Sequence, residues 1–232
     1  MVGSLRHWRT RVGFLVAVAL AASLFAGMTS ASPARLSVEI IPAGGTLHGA
    51  TYDEWFGRWL SWVVRTPTPM NPLANPKNCA IAPQPGKRVR LLSASSGGRL
   101  TVSCTIQKGR SLFVPVAGTL GYGEKPADTF AALRKGLRSF FAETTLLRVS
   151  VDGVPVPGLR ALRATTRNLV LDLPQANILG VPAGKTRVVA AGYNVLFKEL
   201  APGRHTIVTY AEQKSPGQPV FKAGMTYRLT VE

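Results

Sequence analysis

The chain has 232 residues and carries 28 Lys or Arg against 11 Asp or Glu, a formal charge of +17. That length fits one domain of sandwich or barrel type, or at most two small ones. It contains no phosphate loop, no dinucleotide fingerprint and no Gly-x-Ser-x-Gly elbow, and none of its few carboxylates is paired at a spacing that argues for a two-carboxylate glycosidase.

At the N-terminus Arg6, Arg9 and Arg11 precede an apolar run from Val12 to Ala26, followed by the small residues Gly27, Thr29, Ser30 and Ala31. Basic, then apolar, then small is the order of a secretory signal peptide. Its apolar core of ~15 residues falls short of the about 20 that a spanning helix needs. Residues 1–31 are therefore expected to be cleaved off after Ala31, leaving a single domain over 32–232 with no transmembrane span. The arginines are not adjacent, and no cysteine follows the apolar run, so the general secretory route without lipid attachment is expected, with the product in the cell envelope or outside the cell. Losing those three arginines leaves 25 basic residues against 11 acidic ones, a net +14. A field of that size favours anionic partners such as envelope polysaccharide. The plainer reading is solubility, since the longest basic cluster is Lys87-Arg88-x-Arg90.

Leu36, Val38 and Ile40 alternate with polar residues as a half-buried strand does, and Pro42-Ala43-Gly44-Gly45 ends it. Thr51 followed by Glu54 is a capping-box pattern opening a helix over Tyr52–Arg65. At 100° per residue, Tyr52, Trp55, Phe56, Trp59, Trp62 and Val63 fall within an arc of ~120°, opposite Asp53, Glu54, Arg58, Ser61 and Arg65. The prolines from Pro67 to Pro76 then impose an irregular connection.

Cys79 and Cys104 are the only cysteines, and an even count in an exported chain reads as one disulfide. The loop encloses 24 residues, worth about 3 kcal/mol in the chain-entropy account. Zinc binding by the pair lacks any near-spaced cysteine or histidine partner. Arg88–Ser93, Arg99–Ile106 and Ser111–Val116 read as short strands of a meander, with Cys104 on the core-facing side of the second. A second helix is predicted from Pro126 to about Glu143, with Phe130, Leu133, Leu137, Phe140 and Phe141 as its buried stripe and Arg134, Lys135 and Arg138 outside.

From there the pattern is β again: 146–152, 168–173, 186–190, 193–198, 205–211 and 225–231, with Asp152-Gly153 as a tight hairpin turn. Many short strands with Gly/Pro turns and two helices point to a mainly β chain, a β-sandwich of immunoglobulin-like or jelly-roll-like kind with two helical insertions.

The pieces Tyr52-x-x-Trp55-x-x-x-Trp59-x-x-Trp62, Asn71-Pro72-Leu73, Cys79, Cys104-Thr105-Ile106-x-x-Gly109, Phe113-x-Pro115, Val151-Asp152-Gly153, Ile178-x-Gly180-x-Pro182-Ala183-Gly184 and Pro202-Gly203-x-His205-Thr206-Ile207 carry a resemblance. Together they resemble an uncharacterised family of secreted bacterial proteins with an aromatic helix followed by a two-cysteine β segment. The resemblance implies export, a disulfide and a compact domain, and supplies no catalytic residues. The chain departs from it after Pro115, at the apolar Val116-Ala117-Gly118.

Candidate ligand-binding residues are few. Trp55, Trp59 and Trp62 share a face that either stacks on sugar rings or docks on a sheet. His48 and His205 have no ligand-spaced partner, so no metal site is expected; with Asp53, Asp128 or Asp172 and a serine either could build a hydrolase on paper. Arg88, Arg90 and Arg99 could contribute to an anion surface, although no dedicated nucleic-acid motif is present. No catalytic residue and no cofactor is assigned. The expected function is a non-enzymatic binding or structural module of the cell envelope, contacting anionic envelope polysaccharide or another envelope protein; the alternative is a secreted hydrolase acting on cell-wall or host polymer.

Overall fold

The computed structural model describes residues 38–76, 84–123, 125 and 127–232, all within one compact unit, Ala34–Glu232. The expected signal segment and Cys79 lie outside the described residues. The architecture is mainly β: two five-stranded sheets with helical insertions, a β-sandwich.

Helix α1 spans Tyr52–Arg65 as the sequence predicts. Thr51 Oγ1 accepts from the Glu54 N–H at 3.3 Å, and the Glu54 carboxylate accepts from the Thr51 N–H at 2.9 Å, so two otherwise orphaned donors are satisfied reciprocally. At the far end Asn71 is fully buried and its Nδ2 donates to the carbonyls of Val63 and Thr66, at 2.7 and 2.9 Å. The proline-rich connection is thus tied to the open carbonyls of the helix it follows.

The first sheet contains β1 (Val89–Leu91), β3 (Ser111–Gly123), β6 (Arg163–Thr165), β7 (Leu169–Leu173) and β8 (Gly184–Phe197). The second runs in the order β2 (Gly98–Ile106), β10 (Phe221–Val231), β9 (Gly203–Gln213), β4 (Thr144–Val151) and β5 (Val154–Pro155). Strands β3 and β8 are antiparallel, while β6 and β7 share the other edge of β8 in succession.

Several sequence expectations are corrected. The three strands from 88 to 116 are no meander: β1 pairs in parallel with β3, whereas β2 pairs in parallel with the C-terminal β10 in the other sheet. The burial patterns give the reason. Strand β2 alternates exposed and buried over its second half, as a half-buried strand does, whereas β3 is buried without interruption from Ser111 to Val116. The runs 186–190 and 193–198 are one continuous strand through Gly192. The predicted second helix breaks into α2 (Phe130–Gly136) and α3 (Phe140–Glu143), because Gly136 ends the first piece and Leu137 caps it in a turn. Pro126 lies outside the described residues; the cap that forms is Thr129, whose side chain accepts from the Ala132 N–H at 3.2 Å. Of the first predicted strand, Ile40 makes one isolated bridge to Phe197 and Leu36 is outside the described residues. The Asp152-Gly153 turn is as expected, with φ of 52° and 83°, and joins β4 to β5.

The core is anchored by Tyr193, Tyr227, Phe113 and Phe197, all fully buried. Each deep hydroxyl has a partner where one is needed: Tyr52 Oη donates to the Ile41 carbonyl at 2.7 Å and accepts from the Leu196 N–H, and Tyr227 Oη donates to the Ser93 carbonyl at 2.6 Å. Burial pushes the Tyr52 phenol up to about 12. Helix α1 lies on the first sheet where Gly118 of β3 faces Gly192 of β8. A Cβ at Gly192 would sit 2.8 Å from the Ala117 carbonyl oxygen and 3.0 Å from Phe56 Cζ.

That contact sets a prediction. Gly192→Ala is expected to destabilise the fold by about 1–3 kcal/mol, since backbone and ring must both move. Gly57→Ala, inside α1 with nothing within 4 Å of the added carbon, should stabilise it by about 0.5–1 kcal/mol. Urea midpoints moving in the same direction for both variants would contradict this packing.

Candidate functional site

The three tryptophans of α1 are buried, at 6, 8 and 9 % exposure for Trp55, Trp59 and Trp62. They form part of the core and offer no open stacking ladder. Phe56, Trp59 and Phe113 make a cluster with ring centroids 5.9 to 6.4 Å apart. The indole N–H groups separate the three. Trp55 Nε1 donates to the Leu47 carbonyl and Trp59 Nε1 to the Leu92 carbonyl, both at 2.8 Å. Trp62 Nε1 is buried without an acceptor among the described residues. An unmade hydrogen bond of this kind costs about 1–3 kcal/mol, so it calls for an explanation.

Trp62 lines an open depression of about 540 Å³ along the outer side of α1. Arg58, Ser61 and Arg65 contribute from the helix at spacings that put them on one stripe, and Arg167 comes from the loop between β6 and β7. Among the described residues none of these three arginines has a carboxylate within ion-pair distance; Arg58 stacks on the Trp55 ring at 4.3 Å. Two carboxylates stand at one end, and both are engaged. Asp53 accepts from the Thr165 N–H at 2.8 Å, docking α1 on β6, and Glu54 closes the helix cap. The Thr51 N–H, and more weakly the charges of Arg58 and Arg167, hold the Glu54 carboxyl below its usual range. Gln84 is pinned by its amide to both backbone groups of Leu91. The depression thus presents three guanidinium groups and a serine hydroxyl, a set of donors suited to an anionic oxygen-rich ligand.

The other candidates lie apart from this groove. Arg88 is exposed just before β1, and Arg90 is half-buried on it, its charge disfavoured first by burial and then by Arg110. Arg99 stacks on Tyr210 at 4.4 Å. His48, exposed and at a φ of 48°, lies 3.0 Å from Ser111 Oγ through Nε2. That pairing has two parts of a nucleophile–base arrangement, but Ser111 is 1 % exposed, and among the described residues no carboxylate lies within ion-pair distance of His48. Cys104 faces the core at 6 % exposure and is not a free thiol.

His205 forms a clamp. Its Nδ1 is 2.8 Å from Asp152 Oδ2 and its Nε2 is 2.8 Å from the Ala201 carbonyl, while Asp152 Oδ1 accepts from the Thr206 N–H. Two acceptors on one ring are both served only when both nitrogens carry protons. Burial works against the charge, but the Asp152 carboxylate and the Ala201 carbonyl outweigh it and raise the imidazole above its ordinary value. Among the described residues, the depression that His48 lines includes none of Asp53, Asp128, Asp172 and His205.

The sequence reading singled out the tryptophans but not Ser61, Arg65 or Arg167 as a set. Arg58, Ser61 and Arg65 are visible as a polar stripe at helical spacing; Arg167 joins them only through the fold. Among the described residues no helix is long and apolar enough to cross a membrane, and no group of three His, Cys, Asp or Glu side chains could hold a metal ion. No protein-family model and no curated protein matches the chain. A solved structure described as "Structure of PbICP-C in complex with falcipain-2" aligns over 63 % of this chain and 100 % of that one, at 12 % identity and a TM-score of 0.25. A likeness that low says nothing of function.

The His205 clamp predicts a pH dependence. A pKa raised on folding gives stability that is complete below about 6.5, the unfolded value, and is lost as pH rises through the folded value. The urea midpoint of the wild type should fall over that window, while His205→Asn should show no such fall. Parallel profiles for the two proteins would remove the clamp.

Proposed function

We propose that the chain is an exported, non-enzymatic binding module whose cationic side, centred on the outer stripe of α1, contacts an anionic envelope polymer. The observation that carries this reading is a depression lined by Arg58, Arg65 and Arg167, none of which has a carboxylate within ion-pair distance among the described residues. A carboxylate, sulfate or phosphate oxygen on a sugar polymer is the chemistry that would meet three guanidinium groups. The charge balance supports the same reading. With 11 acids against 25 basic residues after loss of the leader, cations outnumber carboxylates more than twofold, and the surplus steers polyanions. Export and a Cys79–Cys104 bridge belong to this proposal: they rest on the order of residues 1–31 and on the even cysteine count. The rival hydrolase reading would rest on His48 and Ser111, whose hydroxyl is buried.

Binding to a fluorescent polyuronate such as alginate, with neutral dextran as control, tests the reading. Affinity should weaken steeply between about 50 and 300 mM salt as screening sets in. The triple variant R58E/R65E/R167E should lose at least about tenfold, on the scale of a few charge-assisted contacts. Reversing three other exposed cations, K108E/R204E/R228E, should lose much less. Equal losses for both triples, or salt-independent binding, would count against the groove.

The bridge makes its own prediction. Alkylation of the unfolded chain recovered from its culture medium should label neither cysteine before reduction and both after it. Reduction should lower stability by about 3 kcal/mol in the chain-entropy account. Free thiols in the exported material would contradict it.

A further inference from the structure

The outward face of the second sheet is open to solvent. Thr101, Arg148, Val208 and Arg228 are exposed on it, alternating with the buried Val102, Val149, Ile207 and Leu229 that face the core. Strand register lines up one row across this face. Gly224 of β10 stands between Arg99 of β2 and Tyr210 of β9, and Tyr210 stands opposite Arg148 of β4. The two arginine Cα atoms are three strand spacings apart, about 14 Å. The missing side chain at Gly224 brings their heads closer. The Tyr210 ring leans over that position, so that a Cβ there would meet its Cδ2 at 3.1 Å, and Arg99 reaches across to stack its guanidinium 4.4 Å from the ring centroid.

Both arginines line a depression of about 640 Å³ together with Ser150 and Thr226, and no Asp or Glu lines it. Among the described residues neither arginine has a carboxylate within ion-pair distance. Glu212, further along the same side of β9, is engaged: it accepts from the Tyr210 hydroxyl at 2.6 Å and faces Lys222 at 3.9 Å. A guanidinium already held on a ring has less freedom to lose when an anion arrives. This depression shares no residue with the arginine groove. The groove follows α1, which packs on β6, β7 and β8 of the first sheet, whereas the row stands on the far side of the second sheet.

We propose that the Arg99–Tyr210–Arg148 row is a second site for acidic sugar units, and that the chain bridges two strands of one kind of anionic polymer, one on α1 and one on the sheet. The bridging rests on the groove reading given above; the sheet site does not. A short oligomer cannot span both layers of the sandwich, so each site takes its own.

Calorimetric titration of the full chain with an oligouronate of about four sugars counts the sites. The wild type should take two oligomers, and R99E/R148E and R58E/R65E/R167E one each. Donor-labelled and acceptor-labelled oligomers mixed with the wild type should transfer energy to each other, and with either variant they should not. Tyr210→Leu in the R58E/R65E/R167E background keeps both sheet arginines and removes the ring between them. Its affinity should fall about threefold, the scale of an exposed cation–π contact. A single oligomer on the wild type, kept in R99E/R148E and lost in R58E/R65E/R167E, would overturn the sheet site and leave the groove standing. A single oligomer lost only in R99E/R148E would instead remove the groove and the bridging with it. Two oligomers retained by R99E/R148E, or an affinity indifferent to Tyr210→Leu, would mean that scattered surface charge binds the oligomer and would overturn the row.

Discussion

The packing of Phe56 over two facing glycines is the contact on which the rest of this structure depends. Gly118 and Gly192 are paired across β3 and β8, and the ring of Phe56 comes so close that a Cβ at Gly192 would meet it at 3.0 Å. A helix can approach a sheet this closely only where the sheet has no side chains to hold it off. Once Phe56 is seated, Trp59 and Phe113 stack beside it and the rotation of α1 about its own axis is fixed. The same rotation turns Arg58, Ser61 and Arg65 outward and places Trp59 and Val63 on the wall of an inner apolar cavity.

One helix thus borders two spaces of opposite character. The outer one is open and rich in guanidinium donors; the inner one is apolar and free of cations. Beside them, the indole N–H of Trp62 and the side-chain N–H of Asn194 are sealed from solvent without an acceptor among the described residues. In a low-dielectric setting a lone polar group is costly. The lining groups set the character of each space: cations favour charge on one side, and hydrocarbon disfavours it on the other.

Elsewhere the fold is held by local polar clamps at the points where strands end. His205 and Asp152 tie the start of β9 to the β4–β5 turn. Glu143, at the end of α3, accepts from Ser215 Oγ at 2.7 Å and from Gln213 Nε2 at 3.1 Å, joining the β9–β10 connection to the helical insertion. Those hydrogen bonds, Ser215 first, hold its carboxyl below the usual range. Arg134 does the same for α2: its guanidinium reaches the Thr166 carbonyl at 2.8 Å and Asn168 Oδ1 at 2.9 Å, so a residue that reads as part of a free basic face is spent on a loop.

Local chemistry made α1, its capping box, the Asp152-Gly153 hairpin and the β-rich class legible from the amino-acid sequence, because each depends on residues within a few positions of one another. The aromatic stripe was equally legible as one face, since period alone sets it, while its burial against the sheet came from the fold. What period cannot encode is partnership between distant segments. The pairing of β2 with the C-terminal strand, the continuity of β8 through Gly192 and the break between α2 and α3 were decided by which surfaces meet in three dimensions. The candidate site follows the same division: the stripe of Arg58, Ser61 and Arg65 is written at helical spacing, whereas Arg167 joins it only in the folded chain. Hydrogen bonding is a property of neighbours, and most neighbours of a buried atom are far away in sequence.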